Sequence, residues 1–329
     1  MAFTLNTFQI YDTDYFSGQT EVLMQQALDM QAMNGGIVME ARNMEGELEK
    51  ASFFEAIGEN AIISDRDPTD MTSASWNDLT MGETVGVRSW KTMKEKKAIS
   101  AFRALGEDLD TMSFVLGQQH AKAIALDYLN TACAAAVGAM SSETGMVFDA
   151  TTQTGDEAIT TENLVRMRQK LGDNAGALVG LVMHSQMAAD LLADQVTSSV
   201  STIAGPSVYT AQIGTLSLPV FVSDSAQLVD DDGVNPAKYA VIGLTSGGIR
   251  LTEAQERDIL TRTDDSAANL AVQMTSEWSF FTSIKGFSWT GNQHPTKADL
   301  ATAANWSYSY ADVKSGPGVL AYFNARDAA

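Results

Sequence analysis

The chain has 329 residues, 45% of them hydrophobic and 8% aromatic, enough to build a large core instead of remaining disordered. Its formal net charge of −20 excludes a protein that grips nucleic acid by neutralising phosphates, though such a wall can enclose nucleic acid without sticking to it. One cysteine, Cys133, excludes an intramolecular disulfide and a cysteine-based zinc site.

No apolar run is read as reaching the roughly 20 residues that cross a bilayer. The stretch from Met1 to Ile10 lacks the basic start and apolar core of a signal peptide, so maturation in a cytoplasm is expected.

From Thr4 to Glu49 the reading is an arm with a helical stretch. Leu23, Ala27, Met30 and Met33 recur at helical spacing until Gly35-Gly36 ends the run. Ala51 to Lys97 reads as an excursion with strand character, a long hairpin around the polar turn from Asp65 to Asp70. Trp76, Leu79, Met81 and Trp90 are too apolar for a projecting loop to leave in water, which makes them candidates for contact with another subunit. Lys91, Lys94, Lys96 and Lys97 form the densest positive patch. Such a patch is either a solvated face or a dock for an acidic neighbour, and Lys94, Lys96 and Lys97 join the contact candidates.

A helix of exceptional length follows, from Glu107 to about Met140 with no proline. At ~1.5 Å per residue it spans ~50 Å. Leu109, Met112, Val115, Leu116, Ala123, Leu126, Cys133 and Val137 fall on one side; Ile124, Tyr128 and Leu129 lie elsewhere, so more than one face is covered. Cys133 reads as a packed small hydrophobe and His120 lies at the stripe's margin.

Ala150 to Arg250 reads as an α/β lobe. Thr161 is placed to cap a helix carrying Leu164, Met167 and Leu171, closed by Gly172. Ala177 to Met183, Leu218 to Val222 and Tyr239 to Leu244 are short apolar runs with the character of buried strands. Ser185 is placed to cap a helix through Met187, Leu191 and Leu192.

The last large element is a strand from Leu270 to Ile284. Leu270, Val272, Met274, Ser276, Trp278, Phe280, Thr282 and Ile284 share one face, and at ~3.3 Å per residue the run is also close to 50 Å long. Lys285 to Trp289 turns the chain, and Asp299 to Trp306 and Gly318 to Asn324 add a short helix and a final strand.

Catalytic and metal motifs are not found. His120, His184 and His294 stand in no zinc-binding pattern. Gly243-Leu-Thr-Ser246-Gly-Gly lacks nucleophile-elbow spacing, so a hydrolase using Ser246 with His184 is a poor rival. Asp230-Asp-Asp-Gly233 lacks the closing glutamate of a calcium loop. The reading is therefore not an enzyme, with no catalytic residue, cofactor or metal.

The order of parts resembles the major capsid proteins of tailed bacteriophages, with the Hong Kong 97-like shell fold. Leu178 to Leu191, as strand then helix, is similar to that fold's axial domain. Gly214 to Asp224, Glu277-Trp-Ser-Phe280, Lys285 to Trp289, Asp299-Leu-Ala and Asn305-Trp306 are family-like too. The resemblance implies an α+β fold divided as N-terminal arm 1–50, extended loop 51–97, peripheral domain with spine helix 98–149, axial domain 150–254, and peripheral long strands with the C-terminal segment 255–329.

It also implies a subunit that assembles with itself into hexamers and pentamers, forming an icosahedral shell around double-stranded DNA without sequence-specific binding and without a membrane. Assembly in the host cytoplasm, a virion location and a portal partner follow, with a scaffolding protein and decoration proteins as further candidates. Because the folded pattern begins almost at once, a scaffold is expected as a separate protein. An encapsulin-type nanocompartment shell around a cargo enzyme is the alternative. In the family a loop lysine can form an isopeptide bond with an asparagine of another subunit. Between Lys50 and Lys91 this chain has only Arg66 and Arg88 as cations, so a non-covalent shell is implied.

Overall fold

The computed structural model describes residues 35–42, 46–54, 81–98, 109–153, 155, 157–198, 218–231, 236–264 and 271–326. The expected N-terminal helix, the tip of the hairpin with Trp76 and Leu79, and Leu270 lie outside them.

Gly35, with φ +77°, takes the left-handed turn that glycine adopts without strain, and β1 (Ile37–Ala41) follows. β2 (Leu48–Phe54) and β3 (Met81–Ala98) then pair antiparallel, with Leu48 opposite Val87 and Phe54 opposite Met81. This pairing forms the base of the expected hairpin. The long helix α1 (Leu109–Ser141) runs for 33 residues, as its proline-free stretch predicts. After it come β4 (Val147–Asp149), α2 (Thr161–Gln169), β5 (Leu178–Met183), α3 (Ser185–Ser198), β6 (Val220–Val222), β7 (Val229–Asp230) and β8 (Lys238–Thr245). Two long strands, β9 (Ile249–Asp264) and β10 (Ala271–Ile284), lead to β11 (Phe287–Trp289), α4 (Lys297–Ala301), β12 (Trp306–Tyr308) and β13 (Gly318–Asn324).

Two sheets hold α1 between them. The first has the order β1-β9-β10-β3-β2 and is antiparallel except where β1 meets β9. The expected face of β10 is the one turned to the helix: Ser276, Trp278, Phe280, Thr282 and Ile284 are buried, and the Tyr128 ring meets Phe280 edge-on at 4.6 Å. The second sheet has the order β4-β13-β8-β5-β6, with β7 beside β8. Val182, Ile242, Leu244 and Leu320 point from it into the core that includes α1. Leu181, Met183, Val241, Val319 and Phe323 face Leu164 and Met167 of α2 and Met187 and Leu191 of α3. Both faces are covered, so these strands read as continuous apolar runs. This sheet draws β4 and β13 from outside the 150–254 span expected for the lobe.

Several expectations are corrected. β9 is implied only by the long peripheral strands of the resemblance, and it begins at Ile249, before the expected boundary at 255. Glu256, Arg257, Asp258 and Arg262 hide its alternation, a register shift opposite Trp278 and Phe280 breaks its period, and hydrogen bonding to β1 and β10 makes it a strand.

In α1 the expected stripe is only partly buried: Ala123 is exposed and Leu126 is 56% exposed, whereas Ile124, Tyr128 and Leu129 are buried. Between Gly117 and Asn130 buried and exposed residues alternate around the helix; from Thr131 to Ala136 every residue is buried, because the two sheets and α4 close on it. Gly117–Ser141 is also long and apolar enough to cross a membrane, contrary to the sequence reading, although 72% of its most apolar window is buried within the fold.

At the lobe helices the caps shift by one residue. Thr160, not Thr161, caps α2, accepting from the Asn163 N–H at 3.2 Å. His184 Nδ1, not Ser185, accepts from the Gln186 N–H at 3.2 Å at the start of α3.

Candidate assembly interface

The hairpin base is fastened along the sheet face turned away from α1. Near the tipward end, Gly82 leaves room for the Phe53 ring, which meets Tyr310 edge-on at 4.6 Å, and Tyr310 continues through Tyr308 to Phe287. Ser288 Oγ donates to the Glu83 carbonyl at 2.6 Å, tying β11 to β3. Further along the same face, the buried Arg88 guanidinium donates to Ser279 Oγ at 2.8 and 3.1 Å and to the Gly46 carbonyl at 3.1 Å. Charge-assisted bonds to a planar fork fix its orientation, and the Trp90 ring stacks on it at 4.0 Å. The Trp90 indole N–H donates to Glu47 Oε2 at 3.0 Å, and His294 Nδ1 lies 3.7 Å from the same oxygen. These contacts set the direction in which the hairpin leaves the body.

Among the contact candidates, Met81 is 63% exposed where the β2–β3 pairing ends and Trp90 is 48% exposed despite its anchorage. The basic cluster is divided by strand alternation. Lys91 and Glu95 turn inward and are taken up by α1: Lys91 Nζ lies 3.5 Å from Asp127 Oδ2, and Glu95 Oε2 lies 2.9 Å from His120 Nε2. Asp127 Oδ1 also receives Lys297 of α4 at 2.5 Å, so one carboxylate joins three elements. Burial, set against the nearby Asp127 charge, pulls the Lys91 pKa below its usual 10.5. Lys94 and Lys96 turn outward. Lys94 is exposed opposite Thr275, and Lys96 pairs with Asp264 of β9. Lys97 stands opposite Val272 in the β3 register.

The residues that sequence reasoning missed are those that hold the base: Arg88, Glu47, Ser279, Asp127 and Tyr310. Only the odd placement of Arg88 in an apolar alternation signalled any of them. His184 Nε2 lies 3.7 Å from Asp224 Oδ1 and its ring packs on Tyr239, while Ser246 is exposed in the turn between β8 and β9. Among the described residues no cluster of three His, Cys, Asp or Glu side chains can hold a metal ion.

A family model described as "Major capsid protein 13-like" (Gp13-like) matches residues 7–320. Solved structures share the fold at low identity. The Cyanophage Pam1 capsid asymmetric unit is similar with a TM-score of 0.54 and 11% identity, over 86% of each chain. A Mycobacterium phage Cain chain gives a TM-score of 0.52 at 10% identity, over 88% of this chain and 89% of that one. A Mycobacterium phage Che8 chain gives 0.51 at 11% identity, over 85% of each. No curated protein matches the sequence.

Proposed function

We propose an assembly role for this chain on the premise that it belongs to the Gp13-like major capsid protein family, whose model spans residues 7–320. It is a shell-forming subunit of a tailed-phage virion that assembles with itself into capsomers. That match over almost the whole chain carries the conclusion, and nothing favours a nanocompartment shell.

The subunit is non-enzymatic, forms hexamers and pentamers in the host cytoplasm, and meets a portal, with scaffolding and decoration proteins as further candidate partners. Residues 1–50 act as an arm, 51–97 as the extended loop, 98–149 and 255–329 as the peripheral domain, and 150–254 as the axial domain.

Trp76, Leu79, Met81, Trp90, Lys94, Lys96 and Lys97 contact neighbouring subunits. In support, Met81, Trp90 and Lys94 are exposed on a hairpin whose base is rigidly bolted, which suits a limb that reaches over a neighbour. Apolar edges of this kind are stable in water only when covered.

Negative-stain microscopy of the expressed chain, alone and with its scaffold, tests the reading. Closed particles several hundred ångströms across are expected, and a monodisperse 35.2 kDa species under both conditions overturns it. Deleting Asp65 to Asp78 should leave folded protein that closes no shells. Normal shells from the deletion would remove the loop assignment.

A further inference from the structure

Beyond the hairpin base, one edge of the first sheet is open among the described residues. β2 covers β3 only from Met81 to Val87, whereas β10 follows β3 to Ala98. From Ser89 to Ala98 the strand therefore has, among the described residues, a partner strand on one side only. An open edge of this length is a template for another strand.

Under the edge lies a cavity of about 230 Å³, lined by Lys91, Met93, Ala123, Ile124, Asp127 and Trp278. Its walls are apolar with donors set into them. Trp278 is 7% exposed and its indole N–H has no acceptor, a costly state for a buried donor. The Lys91 ammonium is the second donor, shared with Asp127. Leu126, the neighbour of Asp127 on α1, leaves 56% of its surface in water. The edge is basic: residues 91–98 carry four lysines and one glutamate, in a chain whose net charge is −20.

We infer that the Ser89–Ala98 edge is a strand-addition site for an extended acidic segment of a second copy of this chain, with one carboxylate side chain entering the cavity beneath it. The inference rests on the shell-subunit reading and names one of its contacts. Main-chain hydrogen bonds supply affinity in this mode, and a pocket for alternate side chains supplies register. The occupant's inward side chains would lie over Ala123 and Leu126, and its outward carboxylates would meet Lys94. A carboxylate from an acidic second copy would accept from the Trp278 indole and add to Asp127 as a partner of Lys91, whereas a basic or purely apolar strand would leave the indole N–H unmet.

The test places a photo-crosslinking benzoylphenylalanine at position 126 of the full chain, in cells that also supply its virion partners. Illuminated particles should contain a covalent dimer of this chain that dissociated subunits lack, with the attachment on an acidic extended segment. Attachment to a different protein, or only within one chain, overturns the inference. In parallel, Leu126→Glu combined with Lys94→Glu should lower particle yield by about tenfold or more while the isolated subunit melts as the parent does. Undiminished yield also overturns it. A parent chain that makes no particle at all strikes the shell reading itself, and the inference with it.

Discussion

The Arg88 guanidinium lies 4.0 Å from the centre of the Trp90 ring while donating to Ser279, 191 residues away in sequence. Stacking and hydrogen bonding use different directions of the same flat group, so the hairpin strand is held in plane and in rotation. Lysine offers a point charge without the planar fork. Arg88→Lys is therefore expected to destabilise the subunit by about 2 kcal/mol, read as a shifted urea midpoint with unchanged slope. An unchanged midpoint would mean that Trp90 is held by Glu47 alone.

Gly138 faces α4 so closely that a Cβ there would overlap the Leu300 carbonyl oxygen and lie 2.8 Å from the Ala301 carbonyl carbon. Helix propensity alone would make Gly138→Ala stabilising by roughly 1 kcal/mol. Backbone cannot yield as a side-chain tip does, and α4 is fixed by its capping box at Thr296 and Asp299. The substitution should instead cost about 2 kcal/mol net. A raised melting temperature would show that α4 can lift away.

Lys91 titrates below its ordinary 10.5 when folded, because burial disfavours its charge more than Asp127 restores it. In the alkaline range below 10.5 the unfolded chain thus binds more proton at this site than the folded one, and the site's contribution to stability rises with pH. The melting temperature of the parent relative to Lys91→Met should climb with pH through that range. Asp127→Asn leaves two lysines facing each other without their carboxylate and should cost about 3 kcal/mol near neutrality. A flat difference curve for Lys91→Met would contradict the burial argument.

Cys133 is 1% exposed in α1, and burial pushes its thiol up to about 12 from 9.0. The unfolded chain loses this proton first, so stability at the site is complete below 9.0 and declines as pH rises towards 12. A disulfide reagent should label the folded subunit only after denaturant is added, since the thiolate is the reactive form. Rapid labelling in buffer would place the thiol at an opening this structure lacks.

Boiled in detergent, mature particles should run as one band near 35.2 kDa. No lysine lies between Lys50 and Lys91, and protonated arginine is a very poor amine nucleophile. A ladder that survives reducing agent would reveal a covalent link made elsewhere.

The two long elements, the hairpin base, the short strands of the lobe and the family were all legible along the chain. Each is written in a local period: the proline-free helical run of α1, the alternation from Met274 to Ile284, the apolar bursts at Leu178–Met183 and Lys238–Thr245.

Relations between distant residues emerge only on folding. β9 is a strand because β1 and β10 complete its hydrogen bonds, although its charges spell no period. β13 enters the lobe sheet from the far end of the chain. The lysine cluster, contiguous in sequence, is split by strand alternation between an inward pair with Asp127 and an outward face with Lys94. Such facts depend on which surfaces meet after folding, and a side chain's partner across space leaves no trace in its own neighbours along the chain.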